Sequence, residues 1–283
     1  MDEGARIGMI EHRQEGLFAL RLHVVAGDLS SPQLKKIADV AERYGRGQVH
    51  LTTRQGVEIP FVQKMYLDSA TAELESSGIA MGATGRRVRI VAGCPGNATC
   101  KKGIIDTKET ARRLDEQYFG REMPHKFKIS VSGCRNNCAK VAENDIGIMG
   151  GVEPRWQKSE CFNCGACVYA CPVAAISVVE DAYVVDREKC INCGSCTSDC
   201  PNAAWTPARR GYTLWIGGTA GKWPRPATKV PGLIIGKEEL FATVDRVVSY
   251  YGANGRTQER FGRTLDRIGL ESALAEITGA RSI

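Results

Sequence analysis

The sequence predicts an α+β protein of two units, with a compact cysteine-rich module inserted into the second. Three observations carry this expectation. Strand and helix signals alternate over residues 1–90. A second set of mixed signals covers residues 91–157 and resumes at 208–283. Between them, residues 158–207 hold eight of the twelve cysteines, in two copies of one spacing.

Taken in order, GLFALRLHVVAG (16–27) reads as a strand. Ser31 is placed to cap, and Pro32 to start, a helix with Leu34, Ile37, Ala38, Ala41 and Tyr44 on one face, stopped at Gly45. QVHLTTRQGVEIP (48–60) reads as two short strands broken near Gly56, and residues 64–77 as a helix ending at Gly78. RRVRIVAG (86–93) supplies a further strand. This β-α-β-β-α-β order is the ferredoxin-like split arrangement. In the second unit a helix is expected from about Thr107 to Phe119, with Ala111, Leu114 and Tyr118 inward. A strand holding Lys126 follows Pro124, and GVEPRWQ and TPARRG lead into and out of the insert. GYTLWIGGTAGKWPR gives a strand and a Gly/Pro-rich loop, and amphipathic helices over 237–251 and 257–278 close the chain.

Hydrophobic content of 43% and charged content of 25% suit a globular protein that buries a full core. No apolar run approaches the ~18–20 residues needed to span a bilayer. The N-terminal MDEGARIGMIEHRQEG has no apolar stretch of signal-peptide type, so a cytoplasmic location is expected. In that compartment thiols stay reduced, and twelve cysteines read as metal ligands rather than disulfides. The net charge is +6, yet Ser159 to Thr206 carries Arg187 and Lys189 against Glu160, Glu180, Asp181, Asp186, Glu188 and Asp199. An acidic module thus sits in a basic body. The basic residues are scattered without a stacking-aromatic motif, which argues against nucleic acid.

CFNCGACVYACP and CINCGSCTSDCP both fit C-x2-C-x2-C-x3-C-P. A [4Fe–4S] cube needs four thiolates converging on one point, and in two-cluster ferredoxins the fourth cysteine ligates the other cluster. One cube is therefore expected on Cys161, Cys164, Cys167 and Cys200, and a second on Cys190, Cys193, Cys196 and Cys171. Zinc knuckles are the alternative, disfavoured by the doubled spacing and both prolines. The insert reads as a bacterial-type 2[4Fe–4S] ferredoxin module whose work is electron transfer.

Cys94, Cys100, Cys134 and Cys138 form a third set, as C-x5-C and C-x3-C. Spacing alone allows zinc or an ordinary cluster. Alternation independently sets Lys126 and Lys128 on one strand face, with Phe127 and Ile129 on the other. With LTTRQ, VRIVAGCPGNATC, PHKFKISVSGCRNNC, GYTLWIGGTAGKWPR and ERFGRTLDRIG, the chain resembles the sulfite and nitrite reductase family. The insert is similar to that of its dissimilatory and small anaerobic branches.

The resemblance implies sirohaem coupled to a [4Fe–4S] cluster on Cys94, Cys100, Cys134 and Cys138, with Cys138 bridging cluster and haem iron. With the insert, that makes three [4Fe–4S] clusters. It implies that Arg54, Arg89, Lys126 and Lys128 grip the substrate oxyanion, and that Thr53, Gln55, Gly218, Lys222 and Arg225 contact sirohaem. GGTAGK lacks the spacing of a phosphate loop, and a purely structural turn is the competing reading there. His125 stands beside the lysines as a structural or exposed histidine, with proton donation as the alternative. Arg135, where many relatives have proline, adds a charge beside the cluster.

The implied reaction is six-electron reduction of sulfite to sulfide, with nitrite reduction to ammonia as the alternative on the same centre. A catalytically silent electron-transfer subunit is the third reading, weakened because none of the four cations is missing. An acidic ferredoxin or a donor subunit is expected to deliver electrons at the insert. Larger relatives carry two copies of this unit, so a homodimer, or a dimer with a homologous subunit, is expected to share the active site.

Overall fold

The computed structural model describes residues 7–279. The first six residues of the N-terminal stretch, where no signal peptide is expected, lie outside that range. The first unit is built on strands β1 (Met9–Glu11), β2 (Leu17–Arg21), β3 (His50–Leu51) and β4 (Val57–Gln63), and helices α1 (Ser31–Tyr44) and α2 (Leu67–Glu75). Its sheet is antiparallel in the order β1-β2-β4-β3. Ser30, rather than Ser31, caps α1: its hydroxyl accepts from the Gln33 amide, and the Gln33 side chain answers the Ser30 N–H. This reciprocal pairing satisfies two orphan donors at once. The buried face of α1 is Ile37, Val40 and Ala41, while Leu34 and Ala38 point to solvent, one step round from the expected stripe.

The strand expected at 86–93 does not complete this sheet. Residues 80–82 hydrogen-bond beside β2 instead, through Leu22 and Met81. The chain then crosses to the second unit, where only β5 (Ala92–Gly93) is regular and pairs in parallel with β6 (Ile129–Ser132). Alternating apolar residues specify a strand and its buried face, not the neighbour it joins.

The second sheet runs β11-β10-β7-β6-β5, adding β7 (Ile146–Trp156), β10 (Trp205–Ile216) and β11 (Thr228–Lys229). Helices α3 (Thr107–Tyr118), α6 (Lys237–Asn254), α7 (Phe261–Ile268) and α8 (Leu270–Thr278) contribute to the core around it. The single helix expected over 257–278 is two, broken at Gly269, whose φ of 108° continues no helix. Phe127, Tyr251 and Phe261 pack as a ring trio with centroids 5.1–5.8 Å apart. That trio anchors the backbone between Lys126 and Lys128, since Phe127 is fully buried and the flanking lysines turn the other way.

β7 and β10 form one long antiparallel ladder from Ile146↔Ile216 to Trp156↔Trp205, with an irregularity at Pro207–Arg209. The insert begins and ends at its far end. It holds α4 (Ala166–Ala170), the hairpin β8 (Ile176–Val179) and β9 (Ala182–Val185), and α5 (Ser195–Ser198). The duplicated cysteine motif is duplicated in the backbone too. Asn163, Gly165 and Ala174 are left-handed, and so are Asn192, Gly194 and Ala203, at the same places in the second copy. The loop of the second copy is tied to the body: Val152 N donates to Asn192 O at 2.8 Å, and Lys229 Nζ donates to Asn192 Oδ1 at 3.3 Å. Among the described residues no helix is long and apolar enough to cross a membrane.

Candidate active site

Two adjoining cavities lie where the units meet. The first, about 280 Å³, is lined by Arg21, Arg54, Arg89, Lys126 and Lys128 together with Thr52 and Thr53. The second, about 210 Å³, is lined by Thr53, Arg54, Gln55, Lys128, Asn144 and Cys138 among others. Thr53, Arg54 and Lys128 border both. The four cations expected to hold the oxyanion therefore gather at one cavity, and two of them also border the cavity that reaches Cys138.

Each cation is positioned by a different element. Arg54 sits in the β3–β4 loop, which is clamped to the second unit by its neighbour. The Gln55 side chain exchanges two 2.9 Å hydrogen bonds with the Gly93 backbone, as a strand partner would. Arg54 itself donates to Asn144 Oδ1 at 2.5 Å and to Ile90 O at 3.0 Å. Asn144 is held in turn by donating to Ser130 Oγ and Lys140 O. Arg89 donates to Ala83 O and Gly85 O. Beneath the lysines lies Asp145, fully buried, accepting from Lys128 N at 2.8 Å and from Arg260 Nη2 at 2.9 and 3.0 Å.

Positive charge exceeds negative here. Arg21 is matched by Glu58 at 2.7 Å, and Asp145 is engaged by Arg260. Burial and the neighbouring cations lower the Arg89 guanidinium to about 10. Burial, helped by Arg89, Arg21 and Arg260 against the pull of Asp145, brings Arg54 to about 10 as well. Burial, then Arg54 and Arg260, bring the Lys128 ammonium down to about 8. Lys126 is lowered by burial, then by Arg260 and Arg89, and His125 by burial, then by Arg260, Lys126, Arg89 and Arg86. Cations held at such mutual cost are relieved by any anion that enters, so the cavity favours negative charge.

Cys94, Cys100, Cys134 and Cys138 lie near one another, and so do Cys171, Cys190, Cys193 and Cys196. Gly133 N donates to Cys94 Sγ at 3.0 Å. Burial raises the Cys138 thiol, and so do the nearby Cys94, Cys134 and Cys100 sulfurs. Four sulfurs close enough to repel as thiolates fit a cationic iron–sulfur core, which removes that repulsion. Glycines let the two cysteine loops meet: a Cβ on Gly133 would fall 2.9 Å from Gly96 Cα. In the insert, burial pushes Cys196 up to about 12, followed by the influence of Cys193, Cys190 and Cys171. Cys171 thus stands with the second copy, as the crossed ligand pattern requires. Cys161 acts on Cys167, Tyr183 lies near Cys161, Cys164 and Cys167, and Cys200 packs on the same small core.

A third cavity, about 520 Å³, separates two of these sets. It is lined by Cys134 on one side and Cys193 on the other, with Lys101, Lys102, Arg135 and Arg210 around it. Cys193 is therefore the insert cysteine that faces Cys134 across this cavity, and Arg135 lines the gap.

Thr53 and Gln55 border the Cys138 cavity, whereas Gly218, Lys222 and Arg225 line none of these cavities; Ala220 of the same loop does. A Cβ on Gly218 would lie 2.5 Å from Ala142 O, so glycine is required there by backbone approach. Arg225 is bonded to Asp266 at 2.9 Å and to Gly217 O, and Lys222 stands over Trp223. Sequence reasoning missed Arg21, Asn144, Asp145 and Arg260. The one available signal was an Asn-Asp pair opening a strand as apolar as IGIMGGV, where a buried carboxylate demands a cation from elsewhere.

The ferredoxin-like half domain of nitrite and sulfite reductases matches residues 10–77, and the 4Fe-4S domain of nitrite and sulphite reductases matches residues 84–282. The coenzyme F420-dependent sulfite reductase of Methanocaldococcus jannaschii is 33% identical over 276 residues, covering 96% of this chain and 44% of that protein. One component of the anaerobic sulfite reductase of Salmonella typhimurium is 32% identical over 183 residues, 58% of this chain and 52% of that component. The chain thus spans about half the length of these relatives. Its fold superposes on dissimilatory sulfite reductase I with a TM-score of 0.76 at 20% identity, covering 94% of this chain and 70% of that one. It superposes on Mycobacterium tuberculosis NirA with a TM-score of 0.68 at 17% identity, covering 98% of this chain and 46% of that one. With both domain matches lying along the cavities and cysteine sets described above, the chain belongs to the nitrite and sulfite reductase family.

Proposed function

We propose that the chain carries the site for six-electron reduction of sulfite to sulfide. The observation that carries this is the convergence of Arg54, Arg89, Lys126 and Lys128 on one cavity, with Arg54 and Lys128 also bordering the cavity of Cys138. Relatives named as sulfite reductases, one matched along 96% of this chain, support sulfite over nitrite. Sirohaem bound at Cys138, and [4Fe–4S] clusters on the three cysteine sets, would supply the electrons and the metal centre that takes the substrate.

The chain's own residues bind the oxyanion oxygens through Arg54, Arg89, Lys126 and Lys128 and stabilise charge as each oxygen leaves as water. Lys128, at about 8, is matched to proton donation near neutral pH, where the ideal acid lies close to the working pH. Its ammonium is charged below about 8 and neutral above. In the wild type kcat/KM for sulfite is expected to fall above about pH 8 with the loss of one proton, and in Lys128→Arg that limb should move beyond about pH 10. A limb that stays in place in the variant would assign it to another group.

A site shared with a second copy, as the larger members of the family imply, competes with a site within one chain, because Arg54 and Lys128 border the Cys138 cavity of their own chain. Dimers mixed from Lys126→Met and Cys138→Ser chains test this. If cations act on the partner's centre, each mixed dimer regains one intact site and measurable turnover. If they act within their own chain, the mixture stays inactive.

Electrons would pass from the Cys161–Cys164–Cys167–Cys200 set to the Cys190–Cys193–Cys196–Cys171 set, then across the 520 Å³ gap to the Cys134 side of the third. The deciding experiment is anaerobic purification with absorption spectra of oxidised and reduced protein, iron counting, and turnover with sulfite and with nitrite. Sirohaem bands with faster sulfite turnover support the proposal. Faster nitrite turnover moves the substrate, and clusters without a tetrapyrrole leave only an electron carrier.

A further inference from the structure

The outer end of the insert is finished in a way that electron transfer alone does not require. Tyr169 is 92% exposed and Phe162 60% exposed, with Val168 beside them in the same eight-residue stretch. Phe162 follows Cys161, Val168 follows Cys167, and Tyr169 stands two before Cys171. These exposed apolar residues thus flank the cysteines of the first copy, whereas the Asn192 loop of the second copy is docked on Val152. Large apolar side chains clustered in water at a cofactor's edge mark a surface that a partner covers.

The charges of the module are one-sided. Of its basic residues Lys158, Arg187 and Lys189, Arg187 pairs with Glu153 at 3.7 Å and Lys189 with Asp186 at 3.4 Å, which leaves Lys158 alone against the free carboxylates. Among the described residues Glu160, Glu180, Asp181, Glu188 and Asp199 form no ion pair. The module therefore presents uncompensated negative charge. A second copy of this chain docking the same face would set like charges against each other, and so would an acidic ferredoxin.

We propose that the Phe162–Val168–Tyr169 surface is the docking site for a redox protein whose own cofactor edge is apolar and ringed by lysine or arginine. This rests on the reading of the insert as an electron-carrying module and deepens it: of the two donors expected there, an acidic ferredoxin or a donor subunit, the charge of the insert favours a basic-faced partner. The aromatic side chains supply the desolvated contact, and the carboxylates steer approach.

Oxidised cytochrome c, a basic protein with lysines around its haem edge, is the probe, and an acidic plant-type ferredoxin the counter-probe. Each is titrated calorimetrically against the cluster-loaded protein, and each is mixed in stopped flow with the reduced form. The expected result is a cytochrome c rate that falls about tenfold as salt rises from low ionic strength to a level at which exposed charges are screened. The Phe162→Ala/Tyr169→Ala variant should raise the Kd for cytochrome c about tenfold with cluster absorption unchanged. Glu180→Lys/Asp181→Lys should slow association without altering the clusters. Tighter binding of the ferredoxin, or cytochrome c binding indifferent to both variants, overturns the proposal. Loss of sulfite turnover with these dependences intact would instead refute the reductase reading and leave the docking surface standing.

Discussion

Lys128→Met is expected to lower kcat/KM for sulfite by about 10²–10³-fold while leaving the visible spectrum of the loaded protein in place. The magnitude is that of removing one preorganised donor from a site where charge develops. Lys128 borders both the cation cavity and the Cys138 cavity, so its loss acts on binding and on the reacting side together. Its backbone N–H, bonded to Asp145, is untouched by the substitution, and Phe127 still anchors the strand in the ring trio. A merely structural lysine would give near-normal turnover in steady-state assays. That outcome would remove Lys128 from the mechanism.

The second large effect concerns a residue that touches no substrate. Asp145→Asn is expected to destabilise the protein by about 3 kcal/mol, a fall in Tm of roughly 5–10 °C. Asp145 is fully buried with Arg260 on its carboxylate, and neutralising one partner strands the other charge away from water. The variant carries a second signature. Asp145 opposes the downward push on Lys128, so its loss should move the alkaline limb of kcat/KM below about pH 8. Thermal unfolding and the pH profile are read on the same preparation. An unchanged limb in a destabilised variant would confine Asp145 to holding the fold.

The repeated cysteine loops were legible in the sequence because two-residue spacing is local information, and the backbone repeats with it. The lysine pair was legible for the same reason: alternation fixes which way Lys126 and Lys128 face relative to Phe127. What supports them was not. Asp145 and Arg260 lie 115 positions apart, and no local pattern announces their pairing. The strand at 86–93 was visible as apolar alternation, but that pattern names no neighbour, and Val88 and Val91 are buried in the core of the second unit. The final helix failed at Gly269, where the positive φ turns α8 away from α7 while the apolar spacing runs on across the break.

The long β7–β10 ladder has a consequence for how such a chain is assembled over evolutionary time. Trp156 and Trp205 are directly paired at its end, so the two ends of the insert leave the body only about 5 Å apart. To the rest of the molecule the whole module is equivalent to a hairpin turn. A fold with that property can gain, exchange or lose such a module while the strands on which it is mounted keep their register, with the Asn192 contacts to Val152 and Lys229 to be remade.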